Sequence, residues 1–182
     1  MELVIMGGSL RKESLNLRLL GHLARTLEAA GHEVRRVEGD ALRIPLFDAD
    51  APPPPQALSL QGLLAGAQGL VIVSPEYNAG IPGHLKNAVD WVSTLAPSPF
   101  KGLPVLLASA SPGAFGGSRG HLAWRGTLAN LGAVALPAGI TVPQADRTLA
   151  EDGAPLDPRA AGEIRKALDA FLDFTSRLGA RP

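Results

Sequence analysis

The 182-residue chain is long enough to bury one sizeable core, and 46% apolar residues is ordinary for a globular domain. Seventeen basic residues balance seventeen acidic ones, which argues against nucleic acid as the main partner, because a phosphate backbone selects a basic face. Cysteine is absent, which excludes disulfides, thiol catalysis and cysteine metal sites, and the four histidines are scattered with no metal-ligand spacing.

The chain opens on "ELVIM", a short continuous apolar run that reads as a buried strand. From Ser14 to Ala30 the pattern turns helical, with Leu15, Leu19, Leu23 and Leu27 on one stripe and Gly31 as the stop. "HEVRRVEG" is a second, more polar strand, suited to a sheet edge. The proline-rich and acidic stretch from Asp40 to Gln56 has no period and reads as a loop, placed over the functional face. A short helix over Gln56–Ala65 leads into "GLVIVS", the most apolar strand. "GHLKNAVDWVSTLA" is helical, "LPVLLASA" is a fourth strand and "SRGHLAWRGTLANLG" a helix closed by Gly132. "AVALPAGITV" reads as a fifth strand, or a strand with an extension. The last helix spans Pro158–Leu178, with Ile164, Leu168, Phe171, Leu172 and Thr175 at helical spacing and proline in its first turn.

This β-α alternation predicts one α/β domain over residues 1–182. It is a three-layer sandwich with a five-stranded parallel sheet in the order 2-1-3-4-5 and helices on both faces. In such a sheet, ligands bind beyond the carboxyl ends of the strands, where the order reverses. No apolar run approaches the roughly 18 residues of a membrane span, and the first residues lack the basic region of a secretory leader. A cytoplasmic protein without membrane contact is the expectation.

The loops after strands 1, 3 and 4 converge in that topology, and they are the least ordinary parts of the sequence. "MGGSLRKESLN" offers glycines for a close turn, hydroxyls at Ser9 and Ser14, an amide at Asn16 and a guanidinium at Arg11, all at a helix start that attracts anions. The Gly-Lys-Ser/Thr of a P-loop and the Gly-x-Gly-x-x-Gly dinucleotide fingerprint are both absent, so a terminal monophosphate fits better than a buried pyrophosphate. An N-capping Ser14 beside a solvated arginine is the plain alternative. "SPEYNAGIPG" puts Glu76, Tyr77 and Asn78 where a simple turn would do, and Tyr77 offers a flat face to an aromatic ligand. "SASPGAFGGSRG" carries four glycines in a dozen residues and invites close backbone approach.

Together "GSLRKESLN", "PEYNAGIPGHLKNAVDW" and "SASPGAFGGSRG" closely resemble the NADPH-dependent FMN reductase family, over residues 3–137. That family has the flavodoxin-like fold and includes quinone, chromate and azo-dye reductases. The resemblance implies that Ser9, Arg11, Ser14 and Asn16, with the backbone of Leu15, hold the FMN phosphate. It places Pro75, Glu76, Tyr77 and Asn78 against the ribityl chain and ring, with backbone N–H groups near Tyr77 and Asn78 steadying charge on the ring. It assigns Ser111, Gly113, Gly116 and Gly117 to the flavin's other edge.

The implied activity is an oxidoreductase that passes hydride from NADPH or NADH through FMN to a small-molecule electron acceptor. Flavin, quinone, azo compound and metal oxyanion are the candidates, and no side chain is named as catalytic. The resemblance also implies a homodimer or homotetramer, with Trp91 as a candidate subunit-facing residue against the simpler reading that it is core. His121 is a candidate proton donor, against plain packing. The rival function is a flavodoxin-like FMN electron carrier without NAD(P)H activity of its own; such carriers are usually strongly acidic, and this chain is neutral.

Overall fold

The computed structural model describes residues 1–178. Strand β1 (Glu2–Gly7) leads to α1 (Leu15–Ala29), β2 (Glu33–Val37), a 3-10 turn at Gly39–Leu42, α2 (Pro55–Gly66) and β3 (Gly69–Val73). Then follow α3 (Gly83–Ser93), β4 (Pro104–Ala110), α4 (Ser118–Asn130), β5 (Val134–Ala135), β6 (Ile140–Val142), α5 (Ala145–Thr148) and α6 (Pro158–Leu178). All strands are parallel, in the order β2-β1-β3-β4-β5, with β6 also on β4. The predicted order therefore holds, and the polar strand β2 lies at the edge.

Alternation along the strands builds two cores. Val4, Met6, Leu70, Ile72, Val105 and Leu107 face α2, α3 and α4. Leu3, Ile5, Val71, Val73, Leu106 and Ala108 face α1 and α6. The α1 stripe behaves as its spacing predicts: Leu19, Leu23 and Leu27 are buried, Leu15 packs at the margin, and Gly31 follows the helix in the left-handed region at φ 84°.

The fifth strand is broken in two. Pro104 pairs with Val134 but Ala108 pairs with Ile140, so four residues along β4 are matched by six on the outer strand. Pro137 has no N–H to donate to a ladder. Arg125 on α4 donates to the freed carbonyls of Leu136 (2.6 Å) and Pro137 (2.7 Å), which satisfies the break.

Trp91 belongs to the core: it is 3% exposed, donates Nε1–H to the Pro45 carbonyl (2.7 Å) and meets Phe47 edge-on at 5.0 Å. Asn87 completes that attachment by donating to Ile44 and Pro45 and accepting from the Phe47 N–H. The irregular stretch after β2 is thus pinned to α3, and Trp91 is not a subunit-facing surface.

Candidate cofactor site

Gly7 and Gly8 turn the chain off β1. Gly7 has φ 127°, and a Cβ there would stand 2.1 Å from the Val73 carbonyl oxygen. Gly8 has φ 81° and donates its N–H to that same oxygen at 2.6 Å. Only glycine fits both demands, and the turn is pressed against the end of β3. Ser9 is buried; its Oγ accepts the Arg11 N–H (3.2 Å) and lies 3.1 Å from the Tyr77 hydroxyl.

Ser14 is the N-cap of α1 and accepts the Leu17 N–H at 3.3 Å, which leaves its own hydroxyl proton to donate. The N–H groups of Leu15 and Asn16 precede any possible intrahelical acceptor. No acid stands in the first turn, nearby Glu13 pairs with Arg18 (3.5 Å), and exposed Arg11 makes no ion pair among the described residues. The helix start is therefore positive and open to an anion.

Asn16 performs a task its position alone did not reveal. Its buried amide donates to the Ala110 carbonyl (2.8 Å) and accepts the Ala110 N–H (2.9 Å), joining α1 to the end of β4.

The second loop ends in a two-residue turn. Tyr77 and Gly80 exchange N–H···O bonds of 3.2 and 2.9 Å, with Asn78 at φ 51° and Ala79 at φ 60°. Positive φ at both central residues is the type I′ geometry, which alanine adopts only under constraint. The Tyr77 N–H is engaged by Gly80, so of the N–H groups expected to face a ring, that of Asn78 is the open one. The Tyr77 ring is 46% exposed. Pro75 is buried at the β3 end, where its carbonyl accepts the Ser74 hydroxyl (2.9 Å).

Glu76 is tied to α4. Its Oε2 accepts the N–H of Arg119 (3.0 Å) and of Gly120 (3.3 Å), while Oε1 accepts from Arg119 Nε (2.7 Å) and forms an ion pair with Nη2 (2.6 Å). Burial alone would raise the Glu76 pKa; the Arg119 guanidinium and the two N–H donors outweigh it and hold the carboxyl below its usual value.

In the third loop Ser111 Oγ accepts the Gly113 N–H (3.0 Å), and buried Ser109 donates to the Gly116 carbonyl (2.7 Å). Gly116 and Gly117 are buried with positive φ, whereas Gly113 is exposed. The segment after β6 fastens this loop: Ser111 N–H to Val142 O (3.1 Å), Gln144 N–H to Gly113 O (3.2 Å) and Ala145 N–H to Ser111 O (3.0 Å).

The three loops are therefore joined pairwise: first to second by Ser9 and Tyr77, first to third by Asn16 and Ala110, second to third by Glu76 and α4. Sequence reasoning missed Arg119 and the Val142–Ala145 fastening; Arg119 was visible only as a charge following two glycines. His84, at the start of α3, puts its ring against the Gly8 backbone; burial chiefly, and then Arg43, lower its pKa against that contact. His121 is no proton donor at neutral pH. It is 6% exposed, and burial first, then Arg125, push its pKa down to about 4, against weaker upward pulls from the Ala108 backbone and Glu76. A groove of about 570 Å³ lies elsewhere, between β6 and α6, and none of the expected site residues lines it.

The sequence pattern of the NADPH-dependent FMN reductase family matches residues 1–147. The chain belongs to that family. It is 36% identical to the quinone reductase of Escherichia coli K12, over 98% of this chain and 97% of that one. Among solved structures it is similar to the flavoenzyme NAD(P)H:(acceptor) oxidoreductase FerB from Paracoccus denitrificans, at a TM-score of 0.86 and 28% identity, covering 98% of this chain and 99% of that one. A flavodoxin from Pseudomonas aeruginosa superposes at a TM-score of 0.57 and 16% identity, over 99% of this chain and 100% of that one, which shows the flavodoxin-like fold. As an FMN reductase the protein is an oxidoreductase with FMN as cofactor and NAD(P)H as electron source. The donors present suit that cofactor: a helix start with no acid in its first turn and an exposed guanidinium for the phosphate, and an exposed tyrosine at a rigid corner for the ring. No described helix is long and apolar enough to cross a membrane.

Proposed function

We propose that this FMN reductase uses NADPH or NADH to reduce a small-molecule acceptor of the quinone class, with its phosphate seat at the start of α1. The observation that carries the reading is the α1 turn itself: exposed Arg11 with no ion pair among the described residues, Ser9 and Ser14 as hydroxyls, and no acid in the first helical turn. When bound, FMN would supply the redox chemistry between the nicotinamide and the acceptor. The chain's own residues bind and orient. Ser14, Leu15 and Asn16 offer hydrogen-bond donors to the phosphate and Arg11 offers charge. Tyr77 and Asn78 form the corner for the ring, and Ser111 and Gly113 border it from the third loop.

The acceptor class rests on the relatives, which are named quinone reductases. A single domain, a homodimer or homotetramer, and a cytoplasmic location without nucleic-acid contact belong to the same reading. The test is steady-state NADPH and NADH oxidation by the FMN-loaded protein with a benzoquinone. Sustained turnover supports the enzyme; bound flavin without nicotinamide oxidation makes the protein an electron carrier instead.

A further inference from the structure

Helices α1 and α4 both begin at this cleft, and among the described residues only α4 has an anion seated at its start. At α4 the N-cap is Gly117, which brings no side chain. The first N–H groups are nevertheless all engaged: Ser118 donates to the Phe115 carbonyl (3.0 Å), and Arg119 and Gly120 donate to Glu76. The Glu76 side chain is 9% exposed, and the Arg119 guanidinium paired with it lies 5.7 Å over the Phe115 ring. Gly120 sits so close that a Cβ there would stand 3.4 Å from the Glu76 Cβ. A glutamate from the end of β3 thus fills the anion seat of a helix that follows β4.

We propose that Glu76 is a positioning residue for FMN: it is α4's internal anion, which closes that helix start to phosphate and fixes the tyrosine corner against the third loop. Of these two helix starts, phosphate recognition then falls to α1. The inference rests on the FMN reading and gives Glu76 a role that needs no contact with the cofactor. A carboxylate this enclosed is costly unless bonded, and this one receives three hydrogen bonds and an ion pair. Remove it, and the two loops lose their joint while the α4 donors are left open.

The experiment compares FMN with riboflavin, which lacks the phosphate. Apo wild type, E76A, E76Q and R119A are titrated with each flavin by fluorescence quenching, well below the thermal midpoint of each variant. The expected result is that E76A weakens both flavins by about tenfold and E76Q and R119A by about threefold, while the ratio of the two dissociation constants stays at the wild-type value. The control, R11A/S14A, collapses that ratio. A purely structural role would lower the apo thermal midpoint and leave flavin affinity alone, and that outcome overturns the inference. So does a ratio that collapses in the Glu76 variants, because it would place Glu76 in the phosphate seat. Should E76A not fold, E76Q and R119A decide. A wild type that binds neither flavin overturns the FMN reading and this inference together; wild-type binding with unaltered Glu76 and Arg119 variants overturns this inference alone.

Discussion

The β1–α1 and β4–α4 turns are built from similar parts. Each leaves a strand that is buried at its carboxyl end, passes through adjacent glycines at positive φ, and enters a helix with no acid in its first turn. They differ in what meets the helix start. At α1 exposed Arg11 makes no ion pair among the described residues, and the side-chain cap is a hydroxyl. At α4 a carboxylate from another strand engages the backbone donors. A glycine-rich strand-to-helix turn is therefore not in itself a phosphate site. The distinction lies in whether the protein has already satisfied the helix start.

The sharpest way to break this contrast is the R11A/S14A double substitution. Losing one charge-assisted contact and one neutral donor should weaken FMN by about 3–4 kcal/mol, on the order of a few hundredfold, with little effect on riboflavin, as read by fluorescence titration. Equal loss for both flavins would move the phosphate elsewhere.

Acid should weaken the α4 side. His121 is buried neutral with its pKa pushed down to about 4, whereas an unfolded histidine titrates near 6.5. The unfolded chain binds the extra proton between those values. The stability conferred by the neutral ring is thus fully present above pH 6.5 and is lost progressively as pH falls to about 4, amounting to about 3 kcal/mol. Urea denaturation at pH 7 and pH 4.5 should show this slope, and His121→Leu should flatten it.

Next comes the link between the α1 turn and β4. Asn16→Ala removes both bonds to Ala110 and should destabilise the fold by about 2 kcal/mol, measured by urea denaturation. A change near zero would mean that the turn does not depend on β4 for its shape. The smallest effect is expected for Tyr77→Phe. It deletes the contact with Ser9 but keeps the ring, so the apo protein should lose about 1 kcal/mol or less while ring binding persists.

Local signals carried much of this architecture. The uninterrupted apolar runs of β1, β3 and β4, the four-residue leucine spacing of α1 and the glycine after it all reflect neighbours in sequence, and those elements lie where the pattern puts them. The stretch read as a fifth strand, or a strand with an extension, is two short strands on β4, and its break is satisfied by Arg125 reaching back from α4 to the carbonyls of Leu136 and Pro137. The candidate site divides in the same way. Arg11 and Ser14 announce themselves by residue type at a helix start. The partner of Asn16 lies 94 residues away and that of Glu76 lies 43 away, so spacing could mark both as unusual polar residues but not as joints. Trp91 shows the opposite error: a large aromatic on a polar-looking helix suggested an interface, while the Pro45 carbonyl that receives its N–H belongs to an irregular segment with no period to read.

The measurement that bears most directly on the central claim is the affinity of the wild-type apo protein for FMN set against its affinity for riboflavin, under identical conditions and over a salt series. A phosphate seated at the α1 turn by Arg11 and open backbone donors predicts that FMN binds at least about a hundredfold more tightly, with the advantage shrinking as salt rises. Equal binding of the two flavins at low salt would contradict it.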